Sequence, residues 1–349
     1  MAEPPVPKRA TLARVAERAG VSVMTASYTY NRPERVSDAA RAKVLAAAEE
    51  LGYAGPHPSA RSLRRGSTLT IGVVLGEHLS YAFDDPAAVA FLAGVADVCA
   101  GRGFGVTLLP ITGAEEDVAR ITEAAVDGFV VWTTADDDPV LPAVRATKRP
   151  AVVHGGTSLR GLAGVTIDNR EAARVVGAVA FAGAARPAVL SQPLTRERVP
   201  GIVRAGDLGE VLFPVTRERL AGYRDALEAI GTPWAGVPVA VCARNDVTDA
   251  EQAATALLSG PEPPDAIAAM SDQQAAGVLR AARAVGRAVP GELAVTGWDD
   301  APVAERLGLT TVRQSLREQG AACASIALGR RPRSVSPTWS VVARSSTRG

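Results

Sequence analysis

Two groups of residues in this sequence have side chains suited to binding a partner. The first group lies within ten positions and comprises Ser22, Val23, Met24, Thr25, Ser27, Tyr28 and Asn31. Hydroxyl and amide groups near the start of a helix bind phosphate oxygens, which fixes the register of a protein on nucleic acid. Valine and methionine side chains suit contact with a thymine methyl group. The spacing therefore predicts nucleic-acid contacts if a helix presents these residues to solvent.

The second group combines aromatic rings with carboxylates at the ends of apolar runs. Its members are Tyr81, Phe83, Asp84, Trp132, Trp298 and Asp299. Aromatic faces stack on the C–H faces of a sugar ring, while carboxylates accept hydrogen bonds from its hydroxyl groups. A sugar is the ligand class we favour, although a nucleobase or another metabolite fits the same groups.

Enzymes need a reactive constellation, and the sequence has none that we recognise. The glycines of segment 101–105 precede a strand, which is the reverse of a dinucleotide-binding loop. The phosphate-binding Gly-x-x-x-x-Gly-Lys-Ser/Thr and the esterase Gly-x-Ser-x-Gly motifs are missing. His57, His78 and His154 lack metal-ligand spacing, and the acidic run 136–138 is typical of a solvated loop end. We predict no enzyme activity, no cofactor and no metal.

The first group requires a helix-turn-helix to present it. Thr11 is a suitable N-cap for a helix with an apolar stripe, and Gly20 can adopt the positive φ that ends it. One residue later, Ser22 can cap a second helix that extends to about Tyr30. Ser37 can cap a third helix, which Gly52 ends. The second helix of such a unit is the one that enters a DNA major groove.

The charge distribution agrees with this interpretation. Residues 1–66 contain eleven basic and six acidic residues, whereas the rest of the chain contains 27 basic and 31 acidic residues. A net charge of +1 thus conceals a basic N-terminal segment followed by a mildly acidic body. This pattern is expected when one end of a protein meets a polyanion.

From residue 69 onward, short apolar strands alternate with helices. We predict strands at 69–75, 105–109, 128–132, 151–154, 187–190, 237–241, 266–270 and 293–296. We predict helices at 87–102, 115–126, 217–230, 249–259 and 273–285. This alternation is typical of parallel sheets covered by helices, and ligands of such sheets bind at the carboxyl ends of the strands. Cys99, Cys242 and Cys323 are too far apart to suggest a disulfide framework and are predicted to be core residues.

Several short motifs, in this order, resemble those of LacI/GalR-type bacterial repressors. They are Thr11-Leu12-Ala13-Arg14-Val15-Ala16, Ala19-Gly20-Val21-Ser22, Val36-Ser37, Leu51-Gly52-Tyr53, Ala60-Arg61-Ser62-Leu63, Val126-Asp127-Gly128, Val165-Thr166-Ile167-Asp168-Asn169, Gly297-Trp298-Asp299-Asp300, Leu309-Thr310-Thr311-Val312-Arg313-Gln314 and Arg344-Ser345-Ser346-Thr347. Each motif is weak alone, but together they cover the chain from about residue 10 and are highly specific.

The resemblance implies an all-α helix-turn-helix DNA-binding head and an α/β, periplasmic-binding-protein-like body of two parallel-sheet subdomains. It implies a homodimer on a pseudo-palindromic double-stranded DNA operator and a small-molecule effector in the cleft. Besides the first group, we assign DNA contacts to Thr11, Arg35, Arg61 and Leu63. Leu63 would be a wedge in the minor groove. The family positions for effector contacts match Trp132, Asp168, Arg219, Ser271, Asp299 and Gln314.

The expected domains are a head at 1–58, a hinge at 59–67 and an effector-binding and dimerisation body at 68–349. Within the body, we expect one subdomain at about 68–183 and 314–330, and the other at about 184–313 and 331–349. The sequence has no secretory signal and no stretch long enough to span a bilayer, so we expect a cytoplasmic protein. The alternative is a cytoplasmic sugar-binding protein or enzyme without a DNA role.

Three departures from the family pattern limit these predictions. Relatives commonly have Asn-Pro-Phe-Phe where this chain has Asp85-Pro86-Ala87-Ala88, and they commonly have Arg at the position of Tyr28. The segment 53–60 is one residue longer than usual. The identity of the effector, its role as inducer or corepressor, the operator and its target genes are left open. We favour a dimer over a tetramer because no heptad run follows Ser340.

Overall fold

The structure is a computed structural model that describes residues 10–55, 65–76, 79–156, 162–330 and 337–348. The chain divides into two compact units, Met1–Thr68 and Leu69–Gly349. Most of the predicted hinge, including Arg61 and Leu63, lies outside the described residues.

The first unit contains three helices, α1 (Leu12–Ala19), α2 (Val23–Asn31) and α3 (Asp38–Glu50). Each helix begins at the predicted cap, because the hydroxyl groups of Thr11, Ser22 and Ser37 accept hydrogen bonds from backbone N–H groups three residues ahead. Gly20 ends α1 with φ +66°, and this left-handed conformation allows the tight turn into α2. The predicted helix-turn-helix is confirmed.

The core of this unit is small and consists largely of alanine and valine. Its buried members are Val15, Ala16, Ala26, Val44, Ala47 and Ala48. The rings of Tyr30 and Tyr53 meet edge to face, 5.9 Å between centroids. An ion pair between Arg18 and Glu50 joins α1 to α3 at the surface. These contacts use the inner faces of all three helices, so α2 has an outer face that takes no part in the core.

The first subdomain of the body is built on a five-stranded parallel sheet with the order β2-β1-β3-β4-β5. Its strands are β1 (Thr70–Leu75), β2 (Gly105–Pro110), β3 (Gly128–Trp132), β4 (Ala151–His154) and β5 (Ala163–Val165). The helices between these strands are α4 (Tyr81–Asp84), α5 (Pro86–Ala100), α6 (Glu116–Glu123) and α7 (Val140–Ala146).

The second subdomain is built on a seven-stranded sheet with the order β12-β11-β10-β9-β6-β8-β7. Its strands are β6 (Pro187–Ser191), β7 (Gly201–Arg204), β8 (Pro238–Val241), β9 (Ala266–Ala269), β10 (Ala294–Asp299), β11 (Thr310–Gln314) and β12 (Trp339–Val342). Its helices are α8 (Asn169–Ala180), α9 (Pro214–Ala229), α10 (Val247–Leu258), α11 (Asp272–Ala284) and α12 (Pro302–Leu307). The edge strands β7 and β12 are antiparallel to their neighbours, so this sheet is not purely parallel as predicted.

The chain crosses between the subdomains earlier than predicted. Helix α8 packs against α9, and its Ala172, Ala173 and Val176 share a core with residues of the second sheet. The crossing therefore lies near residue 166, not near 183. The chain then returns to the first subdomain, where a final helix, α13 (Leu316–Ala327), packs against α5 and shares the core of the first sheet.

All the strands and helices predicted from the alternating pattern are present, with ends shifted by a few residues. The pattern missed β5, β7, β11, β12 and the helices α4, α7, α8, α12 and α13. Cys99, Cys242 and Cys323 are buried, as predicted. Within the described residues, no helix is long and apolar enough to cross a membrane.

Candidate nucleic-acid interface and ligand cavity

The outer face of α2 carries the side chains predicted to contact bases. Val23 and Met24 are neighbours in the sequence and are 52% and 63% exposed, so both are available to a partner. Tyr28, one turn after Met24, is half-buried. The hydroxyl of Ser22 accepts from the backbone N–H of Thr25 at 3.0 Å and lies 2.9 Å from the Thr25 hydroxyl. Two hydroxyl groups thus stand together at the positive end of the α2 dipole.

The remaining predicted DNA contacts are more scattered. The amide of Asn31 donates to the backbone oxygen of Ser27 at 2.9 Å, so Asn31 is held at the C-terminal end of α2, whereas Ser27 lies in the middle of that helix. Thr11 is exposed and caps α1, and Arg35 is exposed in the turn Pro33–Arg35. These side chains lie on the helix-turn-helix itself, where polar groups can hold a phosphate backbone.

The body contains a cavity between its two sheets, at the carboxyl ends of the strands. Trp132 ends β3 and His154 ends β4 in the first subdomain, while Asp299 and Gln314 end β10 and β11 in the second. The cavity is therefore where parallel sheets of this kind bind ligands.

Five of the nine residues predicted to bind the effector line this cavity: Tyr81, Trp132, Arg219, Asp299 and Gln314. The other four, Phe83, Asp84, Asp168 and Ser271, do not line it. Phe83 and Asp84 are exposed on α4, and the carboxylate of Asp168 caps α8 by accepting from the N–H of Glu171 at 2.9 Å. Ser271 caps α11. For these four residues, position gives no support to an effector role.

Arg219, on α9, is 6% exposed and is held in place by fixed partners. Its Nε donates to the side-chain oxygen of Asn169 at 3.1 Å, and its Nη1 donates to the carbonyl of Met270 at 2.6 Å. The guanidinium lies 3.9 Å from the centroid of the Trp298 ring, a cation–π contact. Burial lowers the pKa of Arg219, and the negative charge of Asp299 opposes that effect.

Asp299 accepts a hydrogen bond from the side-chain amide of Gln314 at 2.8 Å. Its backbone has φ +104°, a conformation that costs a non-glycine residue energy and is often found at functional sites. Burial raises the pKa of this carboxyl, while Arg219 and the Gln314 bond act in the opposite direction. The cavity wall thus holds a buried cation and a half-buried carboxylate that stabilise each other's charged form.

Several lining residues were not predicted from the sequence. They are His154, Asn169, Arg198, Asn245 and Gln319. Asn169 directly follows the predicted Asp168 in the motif 165–169, and it is Asn169 that lines the cavity. His154 ends a predicted strand next to Trp132, and its ring stacks on that indole at 4.9 Å and 24°. The pairing of strand ends was a usable signal for His154, whereas Gln319 lies on a helix that the pattern missed.

Polar contacts cross the cleft between the two subdomains. Asn245 donates to the carboxylate of Asp85 at 2.6 Å and accepts from the hydroxyl of Ser271 at 2.5 Å. Ser271 therefore supports a cavity residue although it does not line the cavity. At the rim, Arg217 pairs with Asp136 at 2.9 Å and Arg196 pairs with Asp137 at 2.6 Å. The two rim pairs are partly exposed to solvent, so water can replace them.

A second buried carboxyl near the cavity predicts a pH effect on stability. Burial, reinforced by the charge of Asp299, raises the pKa of Asp272 to about 8, although Thr311 and Ala301 donate hydrogen bonds to it. A raised folded-state pKa contributes stability that is complete below the unfolded pKa near 4 and is lost as the pH rises through about 8. We expect the free energy of unfolding to fall by up to about 1.4 kcal/mol per pH unit across this window.

The measurement is urea unfolding of the wild type and Asp272→Asn between about pH 5 and pH 8. The Asn side chain does not titrate, so the variant should lose less stability over that interval than the wild type. Equal pH dependence of the two proteins would show that Asp272 does not titrate in this window.

Comparison with known proteins agrees with these features. Residues 11–56 match the family of bacterial regulatory proteins named after LacI, and residues 198–347 match the periplasmic binding protein-like domain. The chain is 37% identical to the HTH-type transcriptional regulator Rv3575c of Mycobacterium tuberculosis, over 99% of this chain and 98% of that protein. The chain belongs to the LacI family. It is a DNA-binding transcriptional regulator.

Solved structures of LacI-family regulators have the same fold. A LacI-family regulator from Corynebacterium glutamicum superimposes with a TM-score of 0.74 at 31% identity, over 98% of this chain and 100% of that one. A complex of the transcriptional regulator CelR with cellobiose gives 0.66 at 27% identity, over 97% and 100% of the two chains. The helical head and α/β body predicted from the LacI/GalR resemblance are thus confirmed.

Proposed function

We propose that the protein is a repressor that binds a pseudo-palindromic operator as a homodimer and responds to a sugar or related metabolite held in the body's cavity. The observation that carries the proposal is the presence, on one chain, of an exposed recognition face on α2 and a polar ligand cavity at the strand ends. A regulator needs both parts, one for DNA and one for the signal.

The cavity suits a neutral polyhydroxylated ligand. Trp132 offers an aromatic face, and Asn169, Gln314 and Gln319 offer amide groups that both donate and accept. Arg219 and Asp299 add one charged donor and one charged acceptor. A sugar ring, with C–H faces and alternating hydroxyl groups, uses all of these groups. The bound cellobiose of the CelR complex supports this ligand class.

The ligand would act by altering the balance between arrangements of the two subdomains. Trp132 and His154 belong to the first subdomain, whereas Arg219 and Asp299 belong to the second. A ligand that contacts both sets binds one arrangement more tightly than the other, and it shifts the equilibrium by that difference in affinity. The DNA affinity of the dimer follows this shift.

The first test is binding to duplex DNA at two salt concentrations, with genomic fragments selected by the protein. A repressor that neutralises six to ten phosphates should lose about 10³- to 10⁵-fold in affinity between roughly 50 and 200 mM salt. The genes beside the selected fragments would identify the pathway. Affinity for the selected fragments that does not change with salt would refute a DNA-binding role for the basic head.

The DNA half-site that this protein prefers should differ from the common family half-site at the base that faces Tyr28. Its hydroxyl and ring cannot form the two-pronged contact that an arginine makes with guanine O6 and N7. Tyr28→Arg should therefore shift preference at the facing base toward guanine by about 1–3 kcal/mol, with little change in the salt dependence. The measurement is selection from randomised half-sites.

Tyr28→Phe is the matched control, because it keeps the ring and removes only the hydroxyl. It should show no new preference for guanine. If the wild type and Tyr28→Arg select the same half-site, Tyr28 does not read bases.

A further inference from the structure

A buried hydrogen bond with a charged acceptor joins the two subdomains across the cleft. The side-chain amide of Asn245, in the second subdomain, donates to the carboxylate of Asp85, in the first, at 2.6 Å. Asp85 is 2% exposed, and Asn245 lines the ligand cavity. The bond therefore lies inside the body, where solvent competes with it little.

Other polar contacts across the cleft are more exposed or longer. They include the ion pairs Arg196–Asp137 and Arg217–Asp136 and the hydrogen bonds from Arg198 to the carbonyl of Gly76 and from Gln319 to Gln314. The side chains of the two ion pairs are 30–62% exposed, so water screens them. The two hydrogen bonds are each 3.1 Å long and have neutral acceptors. The Asp85–Asn245 bond is shorter than these two and has an ionised acceptor, which makes a hydrogen bond stronger.

The two oxygens of Asp85 have separate partners. One oxygen caps α5 by accepting from the N–H groups of Ala87 and Ala88, and the other accepts from Asn245. A carboxylate only accepts hydrogen bonds, so Asn245 turns its NH₂ group toward Asp85. The oxygen of Asn245 accepts from the hydroxyl of Ser271, which caps α11. The bond thus connects the start of α5 in one subdomain to the start of α11 in the other.

The cavity beside this bond is too small for the ligand that we propose. Ala87 and Asn245 both line it, and its volume is about 100 Å³. Pockets that hold small molecules usually have volumes of about 300–1,000 Å³. The subdomains must therefore move apart before an effector can enter, and the structure shows the cleft closed.

We propose that the hydrogen bond between Asp85 and Asn245 is a latch that holds the cleft closed without effector and has to break before an effector enters. The regulatory meaning of the latch rests on the proposed effector role of the cavity. Its mechanical action does not, so it can be tested without DNA or ligand. Burial raises the pKa of Asp85 to about 6, and the carboxyl is therefore ionised at pH 8, where the test is made.

The chemistry of the latch allows a reciprocal exchange of its two residues. Asp85→Asn leaves one side-chain oxygen to cap α5, so two amide groups then face each other across the cleft. Asn245→Asp places two carboxylates face to face. The double variant, Asp85→Asn with Asn245→Asp, restores one donor and one acceptor in the opposite direction. The carboxylate introduced at position 245 can still accept from the hydroxyl of Ser271.

A thiol inside the cavity reports whether the cleft is open. Thr216 lines the cavity and is 2% exposed, so the thiol introduced by Thr216→Cys should react with an aromatic disulfide reagent only when the cleft opens. Cys99, Cys242 and Cys323 are buried and should react only when the body unfolds. One reacting thiol thus indicates opening, and four reacting together indicate unfolding.

The measurement is the rate of thiol reaction at pH 8 in the Thr216→Cys protein. Asp85→Asn and Asn245→Asp should each raise the rate for one thiol by about 10- to 150-fold, the range for a hydrogen bond to a charged group. The double variant should return close to the rate of the parent. Asp137→Asn is the matched control, because it weakens an exposed ion pair across the same cleft, and it should leave the rate unchanged.

Three results would overturn the latch. They are Asp85→Asn reacting at the rate of Asp137→Asn, the double variant reacting as fast as the single ones, and all four thiols of Asp85→Asn reacting together. The last result would mean that the bond supports the fold and does not control the cleft. Because the rates involve neither operator nor sugar, a failure of the latch leaves the proposed function standing, and the reverse also holds.

Discussion

Replacing Gly94 by alanine is expected to destabilise the body by about 3 kcal/mol, near the upper end of the usual cost of overpacking. Gly94 lies in α5 where that helix meets α13, and a Cβ atom there would stand 1.9 Å from the backbone oxygen of Arg317. The obstacle is backbone, so no side-chain rotation can relieve it. On the opposing helix, a Cβ on Gly320 would stand 2.1 Å from the backbone oxygen of Phe91.

The stability that Gly94→Ala loses through overpacking exceeds the stability that it gains from the higher helix propensity of alanine. Alanine favours a helix over glycine by about 1 kcal/mol, so an unobstructed Gly94→Ala would be stabilising. The clash of the added Cβ atom with the backbone of Arg317 outweighs this gain, so the substitution is expected to be destabilising. Urea unfolding followed by tryptophan fluorescence measures the effect, because all four tryptophans lie in the body at positions 132, 234, 298 and 339.

Gly209→Ala is the matched control for this prediction. Nothing lies within 4 Å of a Cβ built on Gly209, and its φ is not in the left-handed region. Its unfolding midpoint should stay close to that of the wild type. If Gly94→Ala unfolds at the same urea concentration as Gly209→Ala, α5 and α13 do not require the close approach.

The head could be predicted almost completely from the sequence, because its signals are local. Ser22 and Ser37 can each satisfy a backbone N–H three residues ahead, and Gly20 can adopt a conformation that other residues avoid. Such features depend on a few neighbouring residues and not on the rest of the chain. Eight strands of the body were found for a related reason, since a short apolar run is visible wherever the sheet finally places it.

The cavity wall was harder to predict because its residues meet only through the tertiary fold. His154 and Gln319 are 165 positions apart, and no local pattern connects them. Asp168 was predicted because it matches a family position for effector contacts, but its side chain is used as a helix cap. The choice between these two neighbours depends on the direction of α8, which the sequence pattern did not identify.

The departure at Asp85 also has a physical explanation in the structure. Its carboxylate caps α5 by accepting from the N–H groups of Ala87 and Ala88, at 2.8 and 2.9 Å. The other oxygen accepts from Asn245 across the cleft. Burial raises the pKa of Asp85 to about 6, with these hydrogen bonds opposing the shift. An acidic residue at this position thus adds a bond between the subdomains.

Arg219→Ala and Asp299→Ala should both give proteins that bind operator DNA but no longer respond to the effector. We expect each residue to form charge-assisted hydrogen bonds with the ligand, worth roughly 1.5–3 kcal/mol, so effector affinity should fall about 10- to 150-fold. Removing either partner also leaves a buried charge without its counter-charge, which costs stability. The measurements are operator affinity with and without a probe sugar that binds the wild type, and the unfolding midpoint of each variant.

Arg217→Ala is the matched control, because Arg217 lies two positions before Arg219 on the same helix. Its guanidinium pairs with Asp136 at the exposed rim, and such a surface pair contributes about 0–1 kcal/mol. This variant should therefore keep both its stability and its dose response. A normal dose response in Arg219→Ala or Asp299→Ala would show that the residue supports the cavity wall without touching the ligand. Loss of response in all three variants would instead indicate that α9 transmits the signal as a unit, independently of which arginine faces the ligand.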